Sequence, residues 1–114
     1  MSLSRDSILG YVDADIGTVD VPEMGGAVRI ATLSVDEMDK LTKLDDAKPA
    51  SAQIVIIGAC DDKGVRLFTP EDFDQIAKLP AGIISRISKA ILAHNGMGPA
   101  AAEEAKNASS ETAN

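Results

Sequence analysis

Apolar positions along this chain change their spacing several times, and each change marks an element. Val19 and Val21 alternate with Asp20, while Val28, Ile30 and Thr32 alternate with Arg29 and Ala31. Alternation by two sends successive side chains to opposite faces of a strand, and Pro22-Glu-Met-Gly-Gly26 between the runs supplies turn chemistry, so a β-hairpin is predicted. Pro22 has no N–H to give to a ladder and belongs at a strand end or on an edge. From Ser34 the spacing turns helical. Ser34 and Glu37 fit a capping box, in which the hydroxyl accepts from a free backbone N–H and the carboxylate reaches back. Val35, Met38 and Leu41 then recur on one side, with Asp36, Asp39 and Lys40 facing away. The run Asp45-Asp-Ala-Lys-Pro49 ends this helix.

Two further helices are predicted downstream. Thr69 can cap, Pro70 suits a first helical position, and Glu71 and Asp72 sit well against the positive end of the dipole. Phe73, Ile76 and Leu79 follow on one face. After Pro80 comes the widest apolar stripe of the chain, Ile83, Ile84, Ile87 and Ile91 with Leu92, opposed by Ser85, Arg86, Ser88 and Lys89. Arg86, Lys89 and His94 lie toward its negative end, and Asn95-Gly96 can terminate it. At the start of the chain, Ser4 to Leu9 can make one helical turn with Leu3, Ile8 and Leu9 on its apolar side. Ala50 to Cys60 stays open. Its β-branched Ile54-Val-Ile-Ile57 suits a buried strand, while its alanines and its length suit a helix equally well.

Composition narrows the function more than it names one. The chain has 114 residues, enough for a single domain, and only three aromatic residues, Tyr11, Phe68 and Phe73. An aliphatic core of this size is marginally stable alone, so a homo-oligomer is expected. The net charge of −7 repels phosphate backbones and anionic bilayers, and basic residues form no stripe interleaved with aromatics. Neither nucleic acid nor membrane is expected as a partner. No secretory leader is visible, the longest apolar run is far too short to span a bilayer, and a single cysteine, Cys60, cannot make an internal disulfide. A cytosolic protein is predicted. Residues 99–114, PAAAEEAKNASSETAN, contain no large apolar side chain, so the domain is placed at 1–98 and a flexible, disordered tail at 99–114.

The stretch that looks most chemical is Cys60-Asp-Asp-Lys-Gly-Val-Arg-Leu-Phe-Thr-Pro-Glu-Asp72. As a calcium loop starting at Asp61, it places Lys63 at the third position and Arg66 at the sixth, where an oxygen ligand and a glycine are needed. Cys60 lacks a CxxC partner, and the neighbouring Asp61 and Asp62 oppose a thiolate. His94 has no nucleophile or second metal ligand near it in sequence, although Cys60 could meet it in space. Gly25-Gly26 and Asn95-Gly-Met-Gly98 lack the lysine and the strand–helix setting of a phosphate loop. The acidic sets at Asp36, Glu37 and Asp39 and at Glu71, Asp72 and Asp74 read as solvated first turns of helices. No catalytic residue, metal ligand or cofactor site is predicted, and a small enzyme is disfavoured. The isoleucine stripe admits two uses. Core packing is the simpler one, and a contact between Ile83, Ile84, Ile87, Ile91 and Leu92 and another chain is the functional one.

The order of these features resembles a known family. An opening MSLSRDSIL, the turn Val21-Pro-Glu-Met-Gly-Gly26 before a strand, a capped acidic helix, the run CDDKGVRLFTPED and an isoleucine-rich helix closing on ILAHNGMG look like the tail assembly chaperones of long, flexible-tailed bacteriophages (siphoviruses, lambda-like). The resemblance covers residues 1 to about 98. It implies a helix at Ala50 to Cys60, and hence an α+β domain in which a small N-terminal β-hairpin is followed by three or four helices. It further implies a non-enzymatic protein of the host cytoplasm that solubilises the tape measure protein, helps recruit major tail protein and is absent from the finished virion. The family commonly makes a longer frameshifted product, to which the tail after Pro99 would connect. The rival class is a tail-completion or head–tail joining component that stays in the particle.

Overall fold

A computed structural model describes residues 2–11 and 15–97, and within them the order of elements is α+β. After a short helix α1 (Arg5–Leu9), strands β1 (Gly17–Val21) and β2 (Gly26–Ile30) pair antiparallel, with Val19 opposite Val28 and Val21 opposite Gly26. A single 3-10 turn, Pro22–Met24, joins them and closes on Gly25, whose φ of 77° lies in the left-handed region that glycine tolerates. The expected hairpin is therefore present, with Pro22 at the first turn position, where its missing N–H costs nothing. The strand stops at Ile30, two residues short of Thr32.

Helix α2 (Val35–Thr42) starts at the predicted capping box: Glu37 N–H donates to Ser34 Oγ, and Ser34 N–H to Glu37 Oε1. Met38 and Leu41 pack on the core, but Val35, at the first helical position, stays in water. Helix α3 (Ala50–Gly58) resolves the segment whose propensities were balanced. It runs straight into a two-residue strand β3 (Ala59–Cys60), which pairs antiparallel with Arg29 and Ile30 to complete the sheet in the order β1-β2-β3. Thr69 caps a 3-10 turn, Pro70–Asp72, leading into α4 (Phe73–Ala77). Leu79 falls beyond the end of α4 and is exposed. The final described helix, α5 (Ala81–His94), is the longest. The flexible tail expected at 99–114 lies outside the described residues.

The core forms where α3 and α5 cross beneath the sheet. Ile30, Val55, Ile84, Ile87 and Ile91 meet there with Val21 and Ala59. Gly58 sets the closeness of this crossing, because a Cβ in its place would sit 2.5 Å from Ile91 Cγ2 and 2.9 Å from its Cδ1. Ile91 is wholly buried and has nowhere to move.

Candidate functional site

The stretch from Cys60 to Asp72 holds itself together with its own polar groups. Asp61 Oδ1 accepts from Lys63 N–H at 2.8 Å and from Val65 N–H at 3.0 Å, and Asp61 N–H donates to Val65 carbonyl at 2.9 Å. Gly64, with a φ of 84°, lets the chain reverse inside this ring. The carboxylate that resembled a metal ligand is thus spent on its own turn. Asp62 faces Arg29 at 3.2 Å as an exposed ion pair. Among the described residues, no group of three histidine, cysteine or acidic side chains is placed to hold a metal ion. Cys60 is buried beside the β3–β2 ladder. Burial pushes its thiol pKa up, Arg66 opposes that, and Asp61 adds to it. A buried, poorly ionised thiol is a packing group rather than a nucleophile.

Arg66 is the hub of this region. Its Nε donates to Ile57 carbonyl, one terminal nitrogen donates to Gly64 carbonyl, and the other bonds both Glu37 oxygens at 2.7 Å. One guanidinium thereby fastens the end of α3, the Asp61 loop and the first turn of α2. Burial works to raise the Glu37 pKa, but the Ser34 backbone N–H and Arg66 outweigh it, and the carboxyl sits below its ordinary value. A second bidentate pair, Arg86 to Glu23 at 2.7 and 2.6 Å, ties α5 to the tip of the hairpin. The hydrogen bonds from Arg86 are the main cause holding Glu23 at a pKa of about 2.

His94 and Asn95 close the opposite end. Thr32 hydroxyl donates to Asp15 carbonyl at 2.8 Å, and His94 Nε2 lies 3.1 Å from the Thr32 oxygen and 3.3 Å from the same carbonyl. The Asp15 carbonyl can only accept, so a hydrogen bond to it from the ring uses an N–H at Nε2. The Asn95 amide accepts from Leu33 N–H and donates to Ala31 and Ile91 carbonyls, at 2.8, 3.1 and 2.9 Å. Asn95, expected as a helix terminator, also clamps the segment after β2 to α5. His94 is used in the same seam.

The apolar stripe of α5 is not a surface. Ile83, Ile84, Ile87 and Ile91 are buried within their own domain and Leu92 is half-buried, so the reading of this set as a partner contact is corrected to core packing. The physical reason is the width of the stripe: one side meets α3 and another meets the sheet, leaving none over. The exposed apolar groups lie elsewhere. Leu3, Ile8, Leu9 and Tyr11 stand in water around α1, and Val65 and Leu67 stand in water either side of Arg66. There is also a groove of about 290 Å³ between α2, α3 and α4, floored by Leu44, Ile56, Ile57 and Phe73 and edged by lysines 40, 43 and 48. Lys48 sits over the Phe73 ring at 5.0 Å. Sequence reasoning passed over this groove; three lysines within nine residues of so acidic a chain were the available signal.

No family model, curated protein or solved structure matches this chain.

Proposed function

We propose that this chain is a tail assembly chaperone of a long, flexible-tailed bacteriophage. It is a non-enzymatic protein of the host cytoplasm that holds the tape measure protein soluble, helps bring major tail protein to it and leaves before the virion is complete. The reading comes from the ordered sequence resemblance, and one structural observation supports it most. Backbone propensity left Ala50 to Cys60 balanced between strand and helix, the resemblance required a helix, and Ala50–Gly58 is helical. The acidic surface and the exposed apolar side chains suit a holdase, which covers apolar stripes of an elongated helical client through many weak contacts repeated along it. With the α5 stripe buried, Val65 and Leu67 are the groups we assign to the client.

Co-expression with a tape measure fragment is the test. Co-purification of a soluble complex is expected, and Val65→Asp with Leu67→Asp is expected to weaken it without altering the circular dichroism spectrum. Failure of the wild-type chain to co-purify, or its retention in purified virions, would overturn the proposal; the second result would favour a structural tail component.

A further inference from the structure

Helix α3 has the composition of a strand. Its four consecutive β-branched residues, Ile54-Val-Ile-Ile57, are stiff at χ1 and favour a pleated surface. Its 9 residues are also too few to hold a helix alone in water, where about 12–15 are needed even for good helix formers. Pro49 precedes it and supplies no side-chain cap. The start is held instead by Gln53, whose amide accepts from Asp45 N–H at 2.9 Å and donates to the Asp45 carbonyl at 3.0 Å. Packing supplies the rest. Ala52, Ile54, Val55 and Ile56 are buried, and α5 lies along the helix with Ile91 against Gly58.

The far end of α3 is already sheet. The carbonyl of Gly58, its last residue, accepts from Ala31 N–H at 2.9 Å, and Ala59 follows at φ −75° and ψ 134° as the first residue of β3. No loop separates the two conformations, so the strand can lengthen into the helix one residue at a time. Charge marks the limits of the segment. Pro49 to Cys60 contains no charged residue, while Lys48 stands before it and Asp61, Asp62 and Lys63 follow. Identical chains stacked in register set every side chain over its own copy at about 4.7–4.8 Å, which repels charge and suits aliphatic residues. An uncharged β-branched run bordered by charges and a proline is a stacking segment held in check at both ends.

We infer that α3 is a convertible helix: when α5 opens away from it, residues 52–60 pass into extended strand and stack with the same segment of other copies as a cross-β assembly. The partner is a further copy of this chain. Backbone hydrogen bonds within the helix are exchanged for bonds between copies, and the contact with α5 is what the folded domain sets against that exchange. The inference stands apart from the chaperone reading and holds whatever the chain binds.

Conversion near the melting midpoint tests it. The full chain, shaken a few degrees below that midpoint, is expected to pass from a helical to a sheet circular dichroism spectrum as thioflavin T fluorescence rises. Digestion of the product is expected to leave a protease-resistant core containing residues 52–60. Ile84→Ala, which loosens the packing of α5, is expected to shorten the lag severalfold at the same temperature. Adding Ile57→Lys is expected to lengthen the lag beyond that of wild type, because every stacked layer would then carry a like charge. This lysine also destabilises a half-buried position and lowers the net charge of −7 by one. Both changes favour ordinary aggregation, so a longer lag points to the stacked segment itself. No thioflavin T signal from wild type or Ile84→Ala, a resistant core without residues 52–60, or a double variant that lags no longer than wild type would each overturn the inference.

Discussion

Helices α1 and α5 both carry adjacent aliphatics on one side, Ile8-Leu9 in the first and Ile83-Ile84 in the second, and they end in opposite environments. The side chains of α5 vanish between α3 and the sheet, while those of α1 remain in water. Pattern tells which side of a helix seeks cover, but not whether the cover is in the same chain. The wider stripe admitted a docking use beside the simpler one of core packing, and width is what a central helix needs when it packs on two sides at once. The narrow stripe, too small to build a core, is the one left exposed among the described residues.

Substitutions can break this contrast. Ile91→Asp is expected to unfold the domain: lost packing of about 2–5 kcal/mol is joined by the cost of a buried charge, against a typical total stability of about 5–15 kcal/mol. A native circular dichroism spectrum for this variant would mean that α5 is not central. Arg66→Met is expected to cost about 1.5–3 kcal/mol in urea unfolding, because it strips the charged hydrogen bonds from Glu37 and leaves two backbone carbonyls unpaired.

Acid should act on the hairpin tip. Glu23, held at about 2 instead of 4.5 by Arg86, binds fewer protons in the folded than in the unfolded chain between those values. The stabilisation it gives is complete above 4.5 and disappears as pH falls toward 2. Glu23→Gln is therefore expected to flatten the fall of melting temperature across that window, and parallel profiles would show that the pair does not persist in solution. The smallest effect belongs to α1. Leu9→Asp, measured on dilute monomer, is expected to change stability by no more than about 0.5 kcal/mol, as at other exposed positions. A larger loss would show that α1 packs on its own domain.

Features set by neighbours in sequence were legible in advance. The Ser34–Glu37 capping box, the Thr69-Pro70 helix start and the hairpin around Gly25 involve residues a few positions apart, and their chemistry is local. What sequence could not reach needs distant partners. Residues 50–58 become helical although Ile54 to Ile57 suit a strand, because α3 must lie along α5, where Gly58 admits Ile91. The two-residue β3 exists only as the partner of Arg29 and Ile30, and the Arg66–Glu37 bond joins residues 29 positions apart. The groove likewise draws its walls from three helices, so no single period announces it.

The clamp made by Asn95 also bears on how the protein ages. An asparagine followed by glycine is the pair most prone to lose ammonia, by attack of the next backbone nitrogen on the side-chain amide. Here the attacking nitrogen of Gly96 donates to Ala93 carbonyl at 3.1 Å, and the amide is held by three backbone groups. The folded chain is thus expected to resist deamidation at Asn95, and peptide mapping should find the unfolded chain converting first. Once converted, the position would set a carboxylate against the carbonyls of Ala31 and Ile91, where an amide donor had stood. Each excursion to the unfolded state then carries a chance of a lesion that the same fold no longer welcomes, and the seam between the sheet and α5 becomes a clock for the molecule.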